Sequence, residues 1–381
     1  MATTLKGYKI NKLLIKIILI LTVLAWMIYP TGDSEGLILV KIPALIVTAI
    51  LIIRNYKFAS PKFIAPVSVL ILLLVLGLLN ILELIDLELI IGLVYFIIFT
   101  FLIIISDTIQ IDKSIKKWIY LSALTSIGVS TYYAYSPIAH WTGKVYIDYL
   151  TLGLYNSNFT GIILFAIGAV FIVSCPKKHF YQRLLNFSIY AWNCYLIFET
   201  NCRSALVAAI FVPLASLFLL KYRIKKILIF AILVVPIVFV PLYINLADKS
   251  DVTEDVVMGK SVISGRQNVY REYFDNLSTK DLMLGKFGGS GVPNQHNAPL
   301  SILSAFGIFG FLAFGYILTK KILQDNDNAK TKDAKFGLYA VLACIIESCG
   351  EAVLFSGSFP MFIYVYLLFA FAGSDNHQKK Y

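Results

Sequence analysis

Apolar runs recur twelve times along this chain, and the short segments between them alternate between basic and acidic or neutral. A helix needs about twenty apolar residues to cross the hydrocarbon of a bilayer, somewhat fewer when its flanks snorkel. The runs lie near residues 13–28, 37–53, 64–82, 88–105, 118–135, 159–174, 184–199, 204–220, 227–244, 298–319, 336–350 and 355–372. With 59% hydrophobic and only 14% charged residues among 381, a soluble globular domain is excluded. The pattern predicts an all-α polytopic membrane protein with about 12 transmembrane helices and one large extracytoplasmic loop. Residues 1–244 would carry helices one to nine, 245–297 the loop, and 298–381 the last three helices and a tail. The first run has lysines before it and no small-residue cleavage site after it, so it reads as a retained helix.

The net charge of +11 invites a nucleic-acid reading, but the lysines fall in short loops between apolar runs, which is the orientation signal of a membrane protein. No nucleic-acid partner is expected. Lys6/Lys9/Lys12, Arg54/Lys57/Lys62, Lys113/Lys116/Lys117, Lys177/Lys178/Arg183, Lys221 to Lys226, Lys320 to Lys335 and Lys379/Lys380 mark one side. Asp33/Glu35, Glu83/Asp86 and the segment around His140 mark the other. Both termini are therefore expected in the cytoplasm, and Asn156, Arg203, Arg266, Arg271 and His296 on the outer face. Five cysteines show no CxxC spacing, so neither zinc nor a disulfide framework is indicated, although a Cys202–Cys349 bridge on the outer side is conceivable.

The loop is the one long polar interval, and it holds two of the six arginines. Ser264 to Leu277 reads as an amphipathic helix, with Ser264 and Gln267 at capping-box spacing and Val269, Tyr270, Tyr273, Phe274 and Leu277 on one face. Gly285, Gly288, Gly289, Gly291 and Pro293 then lead into Gln295-His296-Asn297, where Asn297 is placed to cap the next span and Pro299 is tolerated in its first turn.

A guanidinium keeps its charge at any working pH and offers a rigid fork that matches phosphate oxygens, so Arg203, Arg266 and Arg271 on one face suit a diphosphate. The bland alternatives are salt bridges: Glu199 stands four residues before Arg203, and Asp275 four after Arg271. His296 could take a proton from a hydroxyl near neutral pH, or simply be a surface histidine hydrogen-bonded to its loop. The helix N-terminus at Ala298 favours an anion nearby. Glu347 and Glu351, four apart near the outer end of the eleventh run, would share a helix face; carboxylates there need partners, and an outer arginine is the expected one. Lys41 reads as a snorkelling side chain. Asp325-Asn326-Asp327 has the form of a metal-binding DxD motif but reads as a solvated turn in a basic linker. Neither a metal nor a cofactor is expected.

These pieces resemble the O-antigen polymerase and O-antigen ligase superfamily, the Wzy and WaaL type. The resemblance is carried by Thr200-Asn201-Cys202-Arg203-Ser204-Ala205 opening a span, Ser264-Gly265-Arg266, and His296-Asn297 before a helix containing Leu300, Gly307 and Gly310. Asn156-Ser157-Asn158 ahead of the sixth run is similar too, and Cys202 stands where that family commonly has serine. The resemblance implies a GT-C-like, metal-independent membrane glycosyltransferase in a bacterial cytoplasmic membrane. It would use an undecaprenyl-diphosphate-linked glycan as donor and a sugar hydroxyl of a glycan acceptor, beside a chain-length regulator and a flippase of the same pathway. Arg203 and Arg266 would hold the diphosphate, and His296 would activate or position the acceptor. Arg271, Asn297, Asn158, Glu347 and Glu351 would line the substrate site.

Polymerisation of repeat units is the leading expectation, and ligase-type transfer of glycan to a lipid core or protein the nearest rival. A flippase for the same lipid would also need cations, but it would place polar residues along a passage within the spans, whereas these cluster at one boundary. A scaffold would leave the outer arginines unexplained.

Overall fold

The computed structural model describes residues 2–56, 61–81, 87–136, 149–154, 156–176, 179–219, 224–249, 256–257, 260–261, 266–286, 296–351, 354 and 359–375. Glu83, Asp86, His140, Ser264, Gly265, Gly288, Gly289, Gly291, Pro293 and Gln295, named above, lie outside them. The chain is helical: α1 (Ala2–Ile28), α2 (Ser34–Tyr56), α3 (Ile64–Ile81), α4 (Leu87–Ile105), α5 (Lys113–Ala134), α6 (Ser157–Ser174), α7 (Phe180–Glu199), α8 (Arg203–Leu219), α9 (Lys226–Lys249), α10 (Arg266–Asp275), α11 (Thr279–Leu284), α12 (Ala298–Asn328), α13 (Lys332–Glu347) and α14 (Phe359–Ala372). A two-residue antiparallel pair, Val256–Val257 with Lys260–Ser261, is the one sheet among the described residues. Each of the twelve apolar runs overlaps a helix among the described residues, and α10 and α11 belong to the polar loop.

Among the described residues five helices are long and apolar enough to cross a membrane: Tyr8–Thr31, Glu35–Tyr56, Ser157–Ser174, Lys226–Asp248 and Ala298–Asn328. Shorter apolar helices lie at Pro61–Val75, Leu93–Thr108, Arg203–Leu217 and Met361–Ala372. The bundle is apolar outside as well as inside, with Leu39, Ile53, Leu217 and Ile227 each 74–76% exposed, which suits lipid and not water.

At the centre stands α6, buried along almost its whole length and packed by α5, α7, α8, α13 and α14. Small residues make this possible: a Cβ at Gly161 would strike Cys202 and Thr200, and one at Gly168 would strike Asn193. On α5 the inward stripe Ser122, Ala123, Ser126, Ser130 lets neighbours approach; the Tyr364 hydroxyl bonds to Ser126 at 2.7 Å, and the Trp26 indole donates to Ser130 at 2.9 Å. Such small-residue seams with polar cross-links are how helices associate without a hydrophobic drive between them. Pro213 in α8 has no N–H for the Ala209 carbonyl four residues back, and Tyr190 of α7 donates its hydroxyl there at 2.6 Å.

Polar contacts gather at two ends. At one, the starts of α1, α5 and α13 meet the ends of α4, α12 and α14: Lys12 and Tyr8 hold Asp112, Lys116 pairs with Asp333, Gln324 donates to Asp107, and Asp375 accepts from Lys330 and Thr331. At the other, the starts of α6, α8 and α12 meet the ends of α7 and α13, with Leu150 N donating to Glu199 O and Ala298 N to Ser348 O.

Three local readings of the sequence need correction. The helix expected at 298–319 continues to Asn328, so Asp325-Asn326-Asp327 is no solvated turn. Lys321 and Asp325 form a fully buried i,i+4 pair at 2.7 Å, and Asn326 donates to Ile224 O at 3.0 Å, partners that carry the helix past its apolar stretch. The ninth run extends to Lys249, where Asp248 meets Arg271 of the loop. And α13 stops at Glu347, with Glu351 in the turn beyond it, so the two carboxylates do not share a helix face.

The long helix α12 is broken at Gly307 (φ 64°, ψ −171°), a conformation essentially restricted to glycine. Here the loop is pinned to the bundle: Lys286 N donates to Ser304 O at 2.8 Å, and a Cβ at Gly307 would lie 2.6 Å from the Leu284 nitrogen. Gly307→Ala is therefore expected to cost about 1–3 kcal/mol. Gly315→Ala, in the same helix with nothing within 4 Å, should be neutral or stabilise by up to about 1 kcal/mol. Unfolding midpoints in detergent decide this, and equal midpoints would discount the pin.

Asp112 provides a pH test. Burial pushes its carboxyl up, but the Ile115 N–H, Lys12 and Tyr8 together outweigh that and hold it below the usual carboxylate range. A depressed folded-state value means the stabilisation is present above the unfolded carboxylate range and lost as pH falls through the folded value. Asp112→Asn should flatten the acid limb of a stability–pH curve.

Candidate functional site

Asn156 caps α6, its side chain accepting from Asn158 N at 2.8 Å, and this sets the Asn158 amide pointing out of the helix start. Asn158 Nδ2 donates to Glu351 Oε1 at 2.9 Å. Arg266 opens α10, and its fork spans two acceptors of the turn after α13: Gly350 O at 2.5 Å and Glu351 Oε1 at 2.6 Å. His296, just before α12, sets Nδ1 2.9 Å from Glu351 Oε2. One carboxylate, 5% exposed, thus joins three elements distant in sequence.

The turn geometry explains how they converge. Gly350 leaves room that a side chain would fill, since a Cβ there would lie 2.6 Å from the Ser204 Cβ and 3.5 Å from Arg266 Nη1. Ser204, in the first turn of α8, donates to Glu347 Oε1 at 3.3 Å. Arg203 beside it is half buried and close enough to Arg266 for the two cations to repel, with Tyr243 and Tyr149 nearby. Glu199, weighed above as an Arg203 partner, is hydrogen-bonded by Tyr195. Asn297 is fully buried and caps α12, accepting from Leu300 N at 3.0 Å and donating to Pro236 O at 3.0 Å and Cys349 O at 3.4 Å. It anchors His296, whose φ of 45° is a strained choice for a residue with a side chain.

The amphipathic face of α10 lies on the bundle: Tyr270 and Tyr273 are buried with Val240 of α9 and Leu300 of α12, while Phe274 is exposed. Burial pushes the Tyr270 hydroxyl up to about 12 against the opposing pull of Arg266, so it stays a neutral donor.

Of the residues expected at the site, Asn158, Arg266, His296 and Glu351 form one hydrogen-bonded cluster. Arg203, Asn297 and Glu347 stand around it. Arg271 does not join them. It lies about 140° round α10 from Arg266 and pairs with Asp248 of α9, not with Asp275. Ser204 and the Gly350 carbonyl were not singled out from the sequence; Ser204 adjoins Arg203, and a glycine between Cys349 and Glu351 is the usual mark of close backbone approach. All five cysteines are free, Cys202 and Cys349 included. Burial, and then the charges of Glu347 and Glu351, push the Cys202 thiol up to about 12, which keeps it a neutral thiol. Lys41 lies over the Tyr29 ring at 5.1 Å. Among the described residues no trio of His, Cys, Asp or Glu is placed to hold a metal.

No family model matches the chain, and comparisons with curated proteins and with solved structures found no match.

Removing one partner of a buried ion pair strands the other, at a cost of about 3–5 kcal/mol. Arg266→Ala should show a loss of that size. Arg266→Ala/Glu351→Ala should lose clearly less than the sum of the single variants, because the stranded charge is gone. Additive losses in a thermal double-mutant cycle would mean the pair contributes no coupling.

Proposed function

We propose that this chain is a membrane glycosyltransferase. It takes a polyprenyl-diphosphate-linked glycan as donor and joins the glycan to a sugar hydroxyl at the outer face of a bacterial cytoplasmic membrane, with undecaprenyl the carrier lipid. Twelve membrane crossings with both termini inside go with this reading; the even alternation of charge along the sequence supports them. The observation that carries the function is that Arg266 and the imidazole of His296 are held on one buried carboxylate, with Arg203 opening the adjoining helix α8.

A diphosphate leaving group develops negative charge as its bond to the sugar breaks, and fixed cationic donors in a site shielded from water stabilise that charge. A second cation, Arg203, within electrostatic range of Arg266 adds to the attraction for an anion. The site residues stand at the helix N-termini of α6, α8, α10 and α12, whose partial positive charge favours an anion there. His296, held at Nδ1 by a carboxylate, has its other nitrogen as the proton acceptor for a sugar hydroxyl. The long apolar helices give the lipid tail a route from the bilayer, leaving its head group beside the loop.

Repeat-unit polymerisation is the reading within this class that we favour, with a glycan carried on the same lipid as acceptor. Ligase-type transfer to a lipid core or a protein uses the same site chemistry. The test is reconstitution of the purified chain in vesicles with lipid-linked oligosaccharide. Elongated lipid-linked glycan with release of undecaprenyl diphosphate is the expected result, and Arg203→Lys should cut the rate at least about tenfold by losing the fork while keeping the charge. Lipid-linked sugar that crosses the bilayer without ever lengthening would overturn the transferase reading in favour of a flippase.

A further inference from the structure

We infer that Glu351 is a positioning residue with two linked tasks: it occupies the Arg266 fork as a stand-in for the donor's phosphate, and it orients His296 as the base. This deepens the transferase reading and rests on it. The two tasks fall on separate oxygens. Oε1 accepts from Arg266 at 2.6 Å and from Asn158 at 2.9 Å, and Oε2 faces His296 Nδ1 at 2.9 Å. A carboxylate and a phosphate are alternative acceptors for the same guanidinium fork, so an arriving diphosphate competes with Oε1 for Arg266.

Charge makes the exchange directional. Without a donor the Arg266 guanidinium is met by Glu351, and Arg203 is a further cation within electrostatic range. An incoming diphosphate brings at least two further negative charges, draws Arg266 toward itself and repels Glu351. Asn158 and His296 then remain as the donors to the released carboxylate. Deprived of its guanidinium, that carboxylate holds the Nδ1 proton of His296 more strongly, and the opposite ring nitrogen becomes the better acceptor. The base is thus strongest when the donor is seated, and an empty site is least able to activate water.

In the step itself, the acceptor hydroxyl passes its proton to His296 Nε2 while its oxygen bonds to the anomeric carbon. The bond from that carbon to the diphosphate oxygen breaks, and the electron pair leaves on the diphosphate held by Arg266 and Arg203. The imidazolium, paired with Glu351, afterwards returns its proton to the departing diphosphate. Glu351 stays ionised throughout and touches neither sugar. The backbone strain at His296 (φ 45°) and the buried Asn297 beside it hold the ring within reach of Oε2.

The test uses the full chain in detergent, with inorganic pyrophosphate as the calorimetric probe and lipid-linked oligosaccharide as the kinetic substrate. Glu351→Gln keeps the shape and removes the charge. It should bind pyrophosphate about tenfold more tightly than wild type, the factor that one charged hydrogen bond is worth. It should elongate glycan with a kcat lowered about a hundredfold, the scale of a general-base contribution, and with a lower donor KM. Glu351→Asp should recover part of the kcat. A merely structural carboxylate predicts the opposite sign for pyrophosphate, since a loosened site binds it less. Binding by Glu351→Gln equal to or weaker than wild type, or a wild-type kcat from that variant, overturns the inference and leaves the transferase reading standing. A wild-type chain that neither binds pyrophosphate nor elongates glycan removes that reading and this one together.

Discussion

A carboxylate withdrawn from water must have its charge met, and one end of this bundle is arranged around meeting the charge of Glu351. Its partners come from the start of α6, the start of α10 and His296 just ahead of the α12 cap, so no two of them are close in sequence. Each can reach it only if the helix behind it is correctly seated, which makes the cluster a register lock as well as a site. Gly350 is what permits the approach, because a Cβ there would collide with Ser204. A buried ion pair adds little net stability, since desolvation offsets the attraction, so its presence at a helix-bundle rim fits specificity of arrangement and function.

The remainder of the bundle follows from the absence of water around it. Serine, threonine and asparagine side chains inside it bond back to their own helix or across to a neighbour: Thr22 to Ile18 O, Thr48 to Ala44 O, Thr100 to Phe96 O and Asn193 to Leu164 O. Where proline removes a backbone donor, as at Pro213, a tyrosine supplies a replacement. The break in α12 at Gly307 is covered by α11. Among the described residues the loop is carried on the bundle by α11 against α12 and by α10 against α9.

Much of this was legible in the residues. Apolar runs located helices because a helix is the simple way to satisfy backbone groups in apolar surroundings, and the asparagine before Ala298 could be read as a cap because its chemistry is local. What could not be read depended on contacts between distant segments. Arg271 had an acid at helical spacing in Asp275, yet Asp248 of α9 took it, because α10 docks there with Tyr270 and Tyr273 inward. Asp325 looked like a solvated turn since hydropathy falls after residue 319, but Lys321 on the same helix face supplies the charge that lets it be buried. Glu351 was read on a helix because nothing local marks the end of α13; its placement in a turn became visible only with Arg266, His296 and Asn158 around it.

The site's composition also bears on why the arginines stand where lysines do not. A lysine on a flexible stem could neutralise Glu351, but it could not reach Gly350 O and Glu351 Oε1 together in fixed geometry, as Arg266 does. That second bond, to a backbone carbonyl, keeps the guanidinium in place when its other nitrogen changes partner. An exchange of Glu351 for phosphate therefore requires only one nitrogen to let go. Arg203, close by on α8, keeps the vacated position electrostatically unfavourable for a third cation and favourable for an anion. A fork with one tine anchored in protein and the other exchangeable can hold an ion without relocating, and that property follows from guanidinium geometry alone.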